Sequence, residues 1–401
     1  MPDSTRRIAI ITHTLGGGVW SMTRFLVDAL EQSGDYSVDI FLVATSSRDD
    51  LSVRILRPGT WLKGPRIEGG EEDGLFFNRV GAVLCELEFN RYRPRRRFTE
   101  LLNRHDIVQV VGGSPAWGAV ARNVSVPVCL FAATVVMKER VALVRKTRGL
   151  RKFWIKGMSQ ITNRIENKTL PAADCVMAES RYTYDLLAPH VLPEKLCLGP
   201  PGVNTEYFQP NGYESDGYLL SVGRFEDPRK NAAILLDAYT HVKKRMPSAP
   251  RLLFVGKTGL SQNDKARARS LGIEDDIEVQ TNVSADRLRQ LYQGASLFVL
   301  PSDEEGLGIV LLEAMASGLP VISTDCGGPA TVVKEGRTGL LTPVGDAAAM
   351  ADAILGLLQN AKLRQEMSEA GRTLIEERFS IETAGKVYLD KYEQLINNAT
   401  A

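Results

Sequence analysis

Histidine and cysteine are both scarce, with 4 and 5 residues in a chain of 401. The cysteines, Cys85, Cys129, Cys175, Cys197 and Cys326, are scattered, odd in number and never in CxxC spacing. That pattern excludes a disulfide framework and a zinc cluster, and the five read as small buried apolar side chains. Long apolar runs are absent too: none approaches the ~18 to 20 residues that span a bilayer. The opening MPDSTRRIAIITHT is expected to be an early strand rather than a charged leader, and the cytoplasm is the expected compartment. A low-complexity tract is also missing, and with 44% apolar and 24% charged residues the composition is that of a folded chain.

Net charge is only +1, yet its distribution is uneven. Residues 1–200 hold 28 Lys and Arg against 21 Asp and Glu, while residues 201–401 hold 21 against 27. Much of the excess lies in residues 136–170, with 10 basic and 2 acidic side chains, and a smaller run is formed by Arg91, Arg93, Arg95, Arg96 and Arg97. Such runs are commonly a solvated face. The sharper readings are an anionic acceptor or peripheral contact with a membrane surface, the latter favoured by Leu143, Phe153, Trp154 and Ile155 among the charges. No nucleic-acid partner is expected.

A chain of this length exceeds a single ordinary core, so two domains are expected. Short Val/Ile/Leu runs alternate with helical patterns, the mark of α/β structure with parallel sheets. In the first half, strands are expected at 8–12, 38–44, 107–111 and 126–131. A glycine turn, Gly16–Gly18, and a helix near 21–32 follow the first of them. Residues 51–97 are turn-rich and resist assignment, and could hold a mobile loop or acceptor contacts. The segment PPGVNTEYFQPNG is a plausible hinge, after which strands are expected at 218–222, 251–255, 277–280, 297–300 and 320–323. Residues 381–397 have the apolar spacing of a terminal amphipathic helix. The expected division is 1–203, with helix 381–397 packing back on it, and 204–380.

Two segments carry chemistry. In VLPSDEEGLGIVLLEAMASGLPVI a buried strand turns at Pro301 and Ser302 and opens a helix after Gly306 and Gly308. Main-chain N–H groups near Gly308 and Ile309 suit an anion, and glycine lets a phosphate approach. Glu305 and Glu313, at most ~12 Å apart along a helix, would meet different parts of one extended ligand. Carboxylates pair well with vicinal sugar hydroxyls, although either could equally be an ordinary helix-surface acid. In YLLSVGRFEDPRKNAAILLDAY, Arg224 and Lys230 lie beyond a strand's carboxyl end, where both could meet a diphosphate, or simply water.

Together these segments resemble the retaining glycosyltransferase family 4, of the GT-B fold, and the resemblance covers most of the chain. It rests on EGLGIVLLEAMASGLPVI, SVGRFEDPRKN and TDCGGPATVVKEGRTGLLTPVGD, with VMAESRYTYDLL and PPGVNTEYFQP in support. The resemblance implies two Rossmann-like doubly wound domains facing across a cleft, an N-terminal acceptor domain and a C-terminal donor domain. It implies a hexosyltransferase-like enzyme that moves a sugar from a nucleotide diphosphate sugar, of UDP or GDP type, to a glycan, lipid-linked or small-molecule hydroxyl. Retention by a front-face route is implied, with no metal and no cofactor besides the donor substrate.

Residue by residue, Arg224 and Lys230 match the cations that hold the diphosphate, Glu305 the acid that meets the donor hexose, and Glu313 the one that meets the ribose. Of these, Glu305, Arg224 and Lys230 are the catalytic candidates. Gly306, Leu307, Gly308, Ile309 and Val310 would cradle sugar and phosphate, Gly17 and Gly18 match the loop closing over the donor, and the base would lie near Gly256, Lys257 and Val279 to Val283. Three departures stand out. The family's donor-side histidine is missing from LFAATVVMKER, and neither His105, His190 nor His241 replaces it. Trp20 stands where an acid usually follows the glycine pair. Leu307 replaces a commoner aromatic. His13, at the end of the first strand, has no assigned role. These departures motivate an alternative, a non-catalytic subunit that binds sugar nucleotides; a nicotinamide oxidoreductase is disfavoured because no GxGxxG sits at a strand-to-helix turn.

Overall fold

The computed structural model describes residues 5–72, 74–211 and 217–400. The chain forms two compact units, one from Met1–Pro201 with Ala384–Ala401, the other from Gly202–Thr383. It therefore crosses between them twice, at 201/202 and at 383/384.

The first unit is built on eight strands: β1 Arg6–Thr12, β2 Tyr36–Val43, β3 Ile67–Glu72, β4 Leu75–Val80, β5 Ile107–Gly112, β6 Val128–Ala132, β7 Cys175–Ala178 and β8 Leu196–Leu198. Their order is β3-β4-β2-β1-β5-β6-β7-β8. All neighbours are parallel except the β3–β4 hairpin. β5 is buried at every residue, as a strand covered by helices on both faces must be. The turn-rich stretch 51–97 thus supplies a sheet edge: β3 pairs with β4, and Val53 bridges to Val83. The first helix, Gly17–Ser33, begins four residues before the sequence pattern places it, because two glycines conceal its apolar period.

The last helix, Ile381–Thr400, returns to this unit. Its Tyr392 donates to Gln109 Oε1 in β5 at 2.7 Å, and its Tyr388 hydroxyl donates to the carbonyl of Gly199. Both tyrosines are buried, so each hydroxyl needs such a partner. The five cysteines are free thiols, four of them buried.

The second unit has six strands: β9 Tyr218–Val222, β10 Leu252–Gly256, β11 Ile277–Thr281, β12 Ala295–Leu300, β13 Val321–Thr324 and β14 Gly339–Thr342. All are parallel, in the order β11-β10-β9-β12-β13-β14. Alternation along the strands divides the core. Leu219, Phe254, Leu297 and Val299 face one helical layer, while Leu220, Val255, Phe298 and Leu300 face the other. A period of two with apolar residues on both sides is what a doubly wound sheet requires. The strand order reverses between β9 and β12, so the loops leaving their carboxyl ends diverge to opposite faces and leave a crevice.

Candidate donor site

Both chemistry-bearing segments leave the sheet at that reversal, one after β9 and the other after β12. The first is a tight course: Gly223 N–H donates to Val255 O, and Phe225 buries itself edge-on against Phe254. Asp227 then caps a short 3-10 turn, Pro228–Lys230, by accepting from Arg229 N–H at 3.0 Å.

Two acids clamp Arg229, Asp227 at 2.7 Å and Glu304 at 2.9 Å. Asn231, in the left-handed region at φ 41°, donates to Asp303 Oδ1 at 2.6 Å, while Asp303 N–H donates to Arg229 O at 2.7 Å. Burial would raise the Asp227 carboxyl, but the Arg229 hydrogen bond and charge prevail and hold it below its ordinary value. The two loops are thereby fastened together by groups that neither segment reveals alone.

This fastening sets the geometry of the pair at its centre. Lys230 Nζ donates to Glu305 Oε1 at 2.5 Å, and Ser302 Oγ donates to the same oxygen at 2.6 Å. The Lys230 and Glu305 side chains are only 16% and 11% exposed, so water screens their attraction weakly. Ser302 is fully buried, and its carbonyl accepts from Thr324 Oγ1. Glu305 is held from behind by a hydroxyl and faced by a cation. Arg224 is different: its side chain is 47% exposed and reaches Asp227 only at 3.7 Å, leaving it available to an incoming anion.

Beyond Glu305 the main chain narrows. Glu305 O accepts from Gly328 N–H at 3.1 Å, and a Cβ added to Gly328 would lie 2.1 Å from Gly306 O. Glycine at 328 is what lets the second loop pass. Leu307 is buried in the core, and Gly308, at φ 91°, starts the helix Ile309–Ala316, whose N-terminus has no side-chain cap. Uncapped first-turn N–H groups remain open to an anion.

The eight-residue spacing from Glu305 to Glu313 is therefore helical only in its second half. Glu313, largely buried, accepts from the buried Tyr292 hydroxyl at 2.7 Å. Burial holds its carboxyl up at about 7 despite that hydrogen bond. Near Glu305, burial likewise raises the Cys326 thiol to about 12, so it is no nucleophile. Tyr292 comes from the helix Ala285–Gln293, where a tyrosine at apolar spacing reads as core and signals nothing more. Asp227, two residues before Arg229, is the available sequence sign that this cation is neutralised; Glu304 lies 75 residues away and gives no such sign.

One strand further along the sheet, Gly256 ends β10 with no room for a side chain, since a Cβ would meet Gly223 O at 2.2 Å. Lys257 is exposed; Val279 on β11 is also exposed and Val283 is half-buried. Gly256, Lys257 and Val283 lie at the carboxyl ends of β10 and β11, on the same edge of the parallel sheet as the site after β9 and β12, while Val279 lies within β11. Gly17 and Gly18 belong to the other unit, where they open the helix after β1, exposed, with Gly17 at φ 66°. Nearby, the His13 ring lies 4.5 Å from that of Trp117, and Trp20 is buried rather than turned to solvent.

Residues 203–374 match the family described as glycosyl transferases group 1. Among curated relatives, a phosphatidyl-myo-inositol mannosyltransferase from Mycobacterium leprae is 34% identical over 178 residues, 43% of this chain and 46% of that protein. The chain thus spans about half the length of that relative. A D-inositol 3-phosphate glycosyltransferase from Streptomyces bingchenggensis is 27% identical over 97% of this chain and 89% of its own. Among solved structures, sucrose-phosphate synthase from Thermosynechococcus elongatus superposes with a TM-score of 0.74 at 21% identity, covering 98% of this chain and 100% of that one. HepE of Anabaena, crystallised with UDP and glucose, gives 0.71 at 14% identity, covering 97% and 100%. The fold is that of the GT-B glycosyltransferases, two Rossmann-like units in one chain.

Proposed function

We propose that this chain, whose residues 203–374 match glycosyl transferases group 1, moves a sugar from a UDP- or GDP-type nucleotide sugar to an acceptor hydroxyl with retention of anomeric configuration and without a metal. The observation that carries the proposal is the Lys230–Glu305–Ser302 arrangement at the strand-order reversal.

Donor binding exchanges partners there. Lys230 turns from Glu305 to the diphosphate, joined by Arg224, and Glu305, still held by Ser302, accepts from the donor hexose hydroxyls. Main-chain groups of Gly306 to Val310 receive sugar and phosphate, and Glu313 meets the ribose. Lys230, Arg224 and the uncapped helix start then oppose the charge that grows on the departing diphosphate, the role elsewhere taken by a divalent ion. No carboxylate acts as nucleophile in this scheme; the leaving phosphate assists the acceptor hydroxyl on the face it departs from.

The HepE structures contain UDP, with glucose in one and UDP-glucose in another, which favours a uridine donor for the first trial. The relatives' names make inositol phosphates and phosphatidylinositol the first acceptors to offer. We place the reaction in the cytoplasm; no helix among the described residues is long and apolar enough to cross a membrane.

The test is transfer with EDTA present, across UDP and GDP sugars, with the product's anomeric coupling read by NMR. Glu305→Ala is expected to reduce turnover by ~100- to 1000-fold, as loss of one preorganised polar contact does. Donor binding by calorimetry with no turnover on any acceptor would return the chain to a non-catalytic sugar-nucleotide-binding subunit.

A further inference from the structure

The helix Gly149–Thr169 in the first unit carries a buried, largely polar stripe and a separate apolar face that is exposed. Ile155, Met158, Ser159, Thr162, Glu166 and Thr169 form the buried stripe, at the i, i+3, i+4, i+7 spacing of a helix lying on a core. Leu150, Phe153 and Trp154 fall on a second face, roughly 120° away at ~100° per residue. They are 88%, 72% and 61% exposed, and Met137 and Val141 are exposed just before them in sequence. Two adjacent aromatics and a leucine in water on one helical turn are unfavourable unless something covers them.

The charges beside them say what kind of cover fits. Arg148, Arg151, Lys152 and Lys156 surround this turn, and none has an ion-pair partner among the described residues. Arg148 is the N-cap, Arg151 and Lys152 lie within the next turn, and no acid stands in the first turn. Cations at a helix N-terminus oppose its positive dipole end, a placement that only an external negative partner makes favourable. A protein surface could supply apolar cover, but apolar cover beneath a ring of cations is the property of an anionic bilayer surface, where aromatics enter the headgroup boundary and Lys and Arg meet phosphate.

We propose that residues 148–156 dock this protein peripherally on an anionic membrane surface, with Leu150, Phe153 and Trp154 inserted at the interface and Arg148, Arg151, Lys152 and Lys156 against lipid phosphates. This surface lies wholly in the first unit and stands independently of the transferase reading. It would bring a lipid-borne acceptor to the chain by restricting the search to two dimensions.

The experiment is flotation of the full chain with vesicles of phosphatidylcholine, alone or with about a third phosphatidylglycerol. Expected is co-flotation with the anionic vesicles only, with release at about 0.5 M salt. The triple change Leu150→Ser, Phe153→Ser, Trp154→Ser and the charge reversal Arg148→Glu, Arg151→Glu, Lys152→Glu each abolish flotation. Changing Lys156→Ala alone weakens partition by about fivefold. Apart from the half-buried Lys152 these side chains are exposed, so thermal unfolding midpoints stay close to the wild-type value and certify the fold. Wild-type chain that ignores anionic vesicles, or partitions equally into neutral ones, overturns the proposal. So does a dimer in sedimentation that the triple change dissociates, which would make a second copy the cover.

Discussion

Replacing Glu313 with Gln is expected to stabilise the ligand-free protein at neutral pH while weakening its hold on donor. In the folded chain burial keeps the Glu313 carboxyl protonated up to about 7, against 4.5 as a free side chain. Below about pH 4.5 the carboxyl is protonated in both states and contributes no pH dependence. As pH rises from 4.5 to 7 the unfolded chain releases this proton first, so the folded state loses stability at about 1.4 kcal/mol per pH unit. By pH 8 the accumulated deficit is on the order of 3 kcal/mol, a large share of a typical domain's stability. Glutamine cannot ionise, yet its carbonyl still accepts from Tyr292, so the variant escapes the deficit.

The difference in unfolding free energy between variant and wild type should therefore grow by about 2 to 3 kcal/mol between pH ~5 and pH ~8. Other titrating groups cancel in that difference. All four tryptophans, Trp20, Trp61, Trp117 and Trp154, lie in the first unit, so urea unfolding is best followed by far-UV circular dichroism or by hydrogen exchange of the Ile309–Ala316 helix. A difference that stays constant across this range, within about 0.5 kcal/mol, would refute the reasoning. At pH ~8, where Glu313 is ionised, donor affinity of the same variant is expected to be about tenfold below wild type, because a neutral amide makes weaker hydrogen bonds to ribose hydroxyls than a carboxylate does.

Arg224→Ala should leave stability within ~0.5 kcal/mol, since the exposed side chain meets Asp227 only at 3.7 Å, while turnover drops ~100-fold; melting curves and initial rates separate the two. Gly328→Ala, whose Cβ would lie 2.1 Å from the Gly306 carbonyl, must push the Glu305–Gly308 loop aside, and calorimetry is expected to show loss of donor binding in whatever fraction folds.

The sequence pattern was most informative where local chemistry and burial agree. β9 begins and ends at the residues its apolar run marks, and Glu305 and Lys230 sit where the loops after β9 and β12 were expected. Legibility failed for β3, whose sequence IEGGEE has no apolar alternation and is mostly exposed; pairing with β4 holds it in place instead of its own propensity. The short strands β7, β8 and β14 were likewise missed, being four residues or fewer. Such pieces are too brief for a period of two to declare itself.

The sequence alone determined two doubly wound units, because hydrophobic period and glycine punctuation are local properties that repeat along the chain. It also named Arg224, Lys230, Glu305 and Glu313, the side chains proposed to meet the donor. Tertiary structure alone decided how they are divided. Of three neighbouring cations, Arg229 is neutralised by Asp227 and Glu304, Lys230 faces Glu305, and Arg224 is left toward solvent. Glu313, one of two similar-looking glutamates, is the one whose carboxyl burial keeps protonated near neutrality. These outcomes depend on which loops meet beyond the strand ends, between residues 75 apart in the chain, and on the desolvation that meeting imposes, neither of which is a local property.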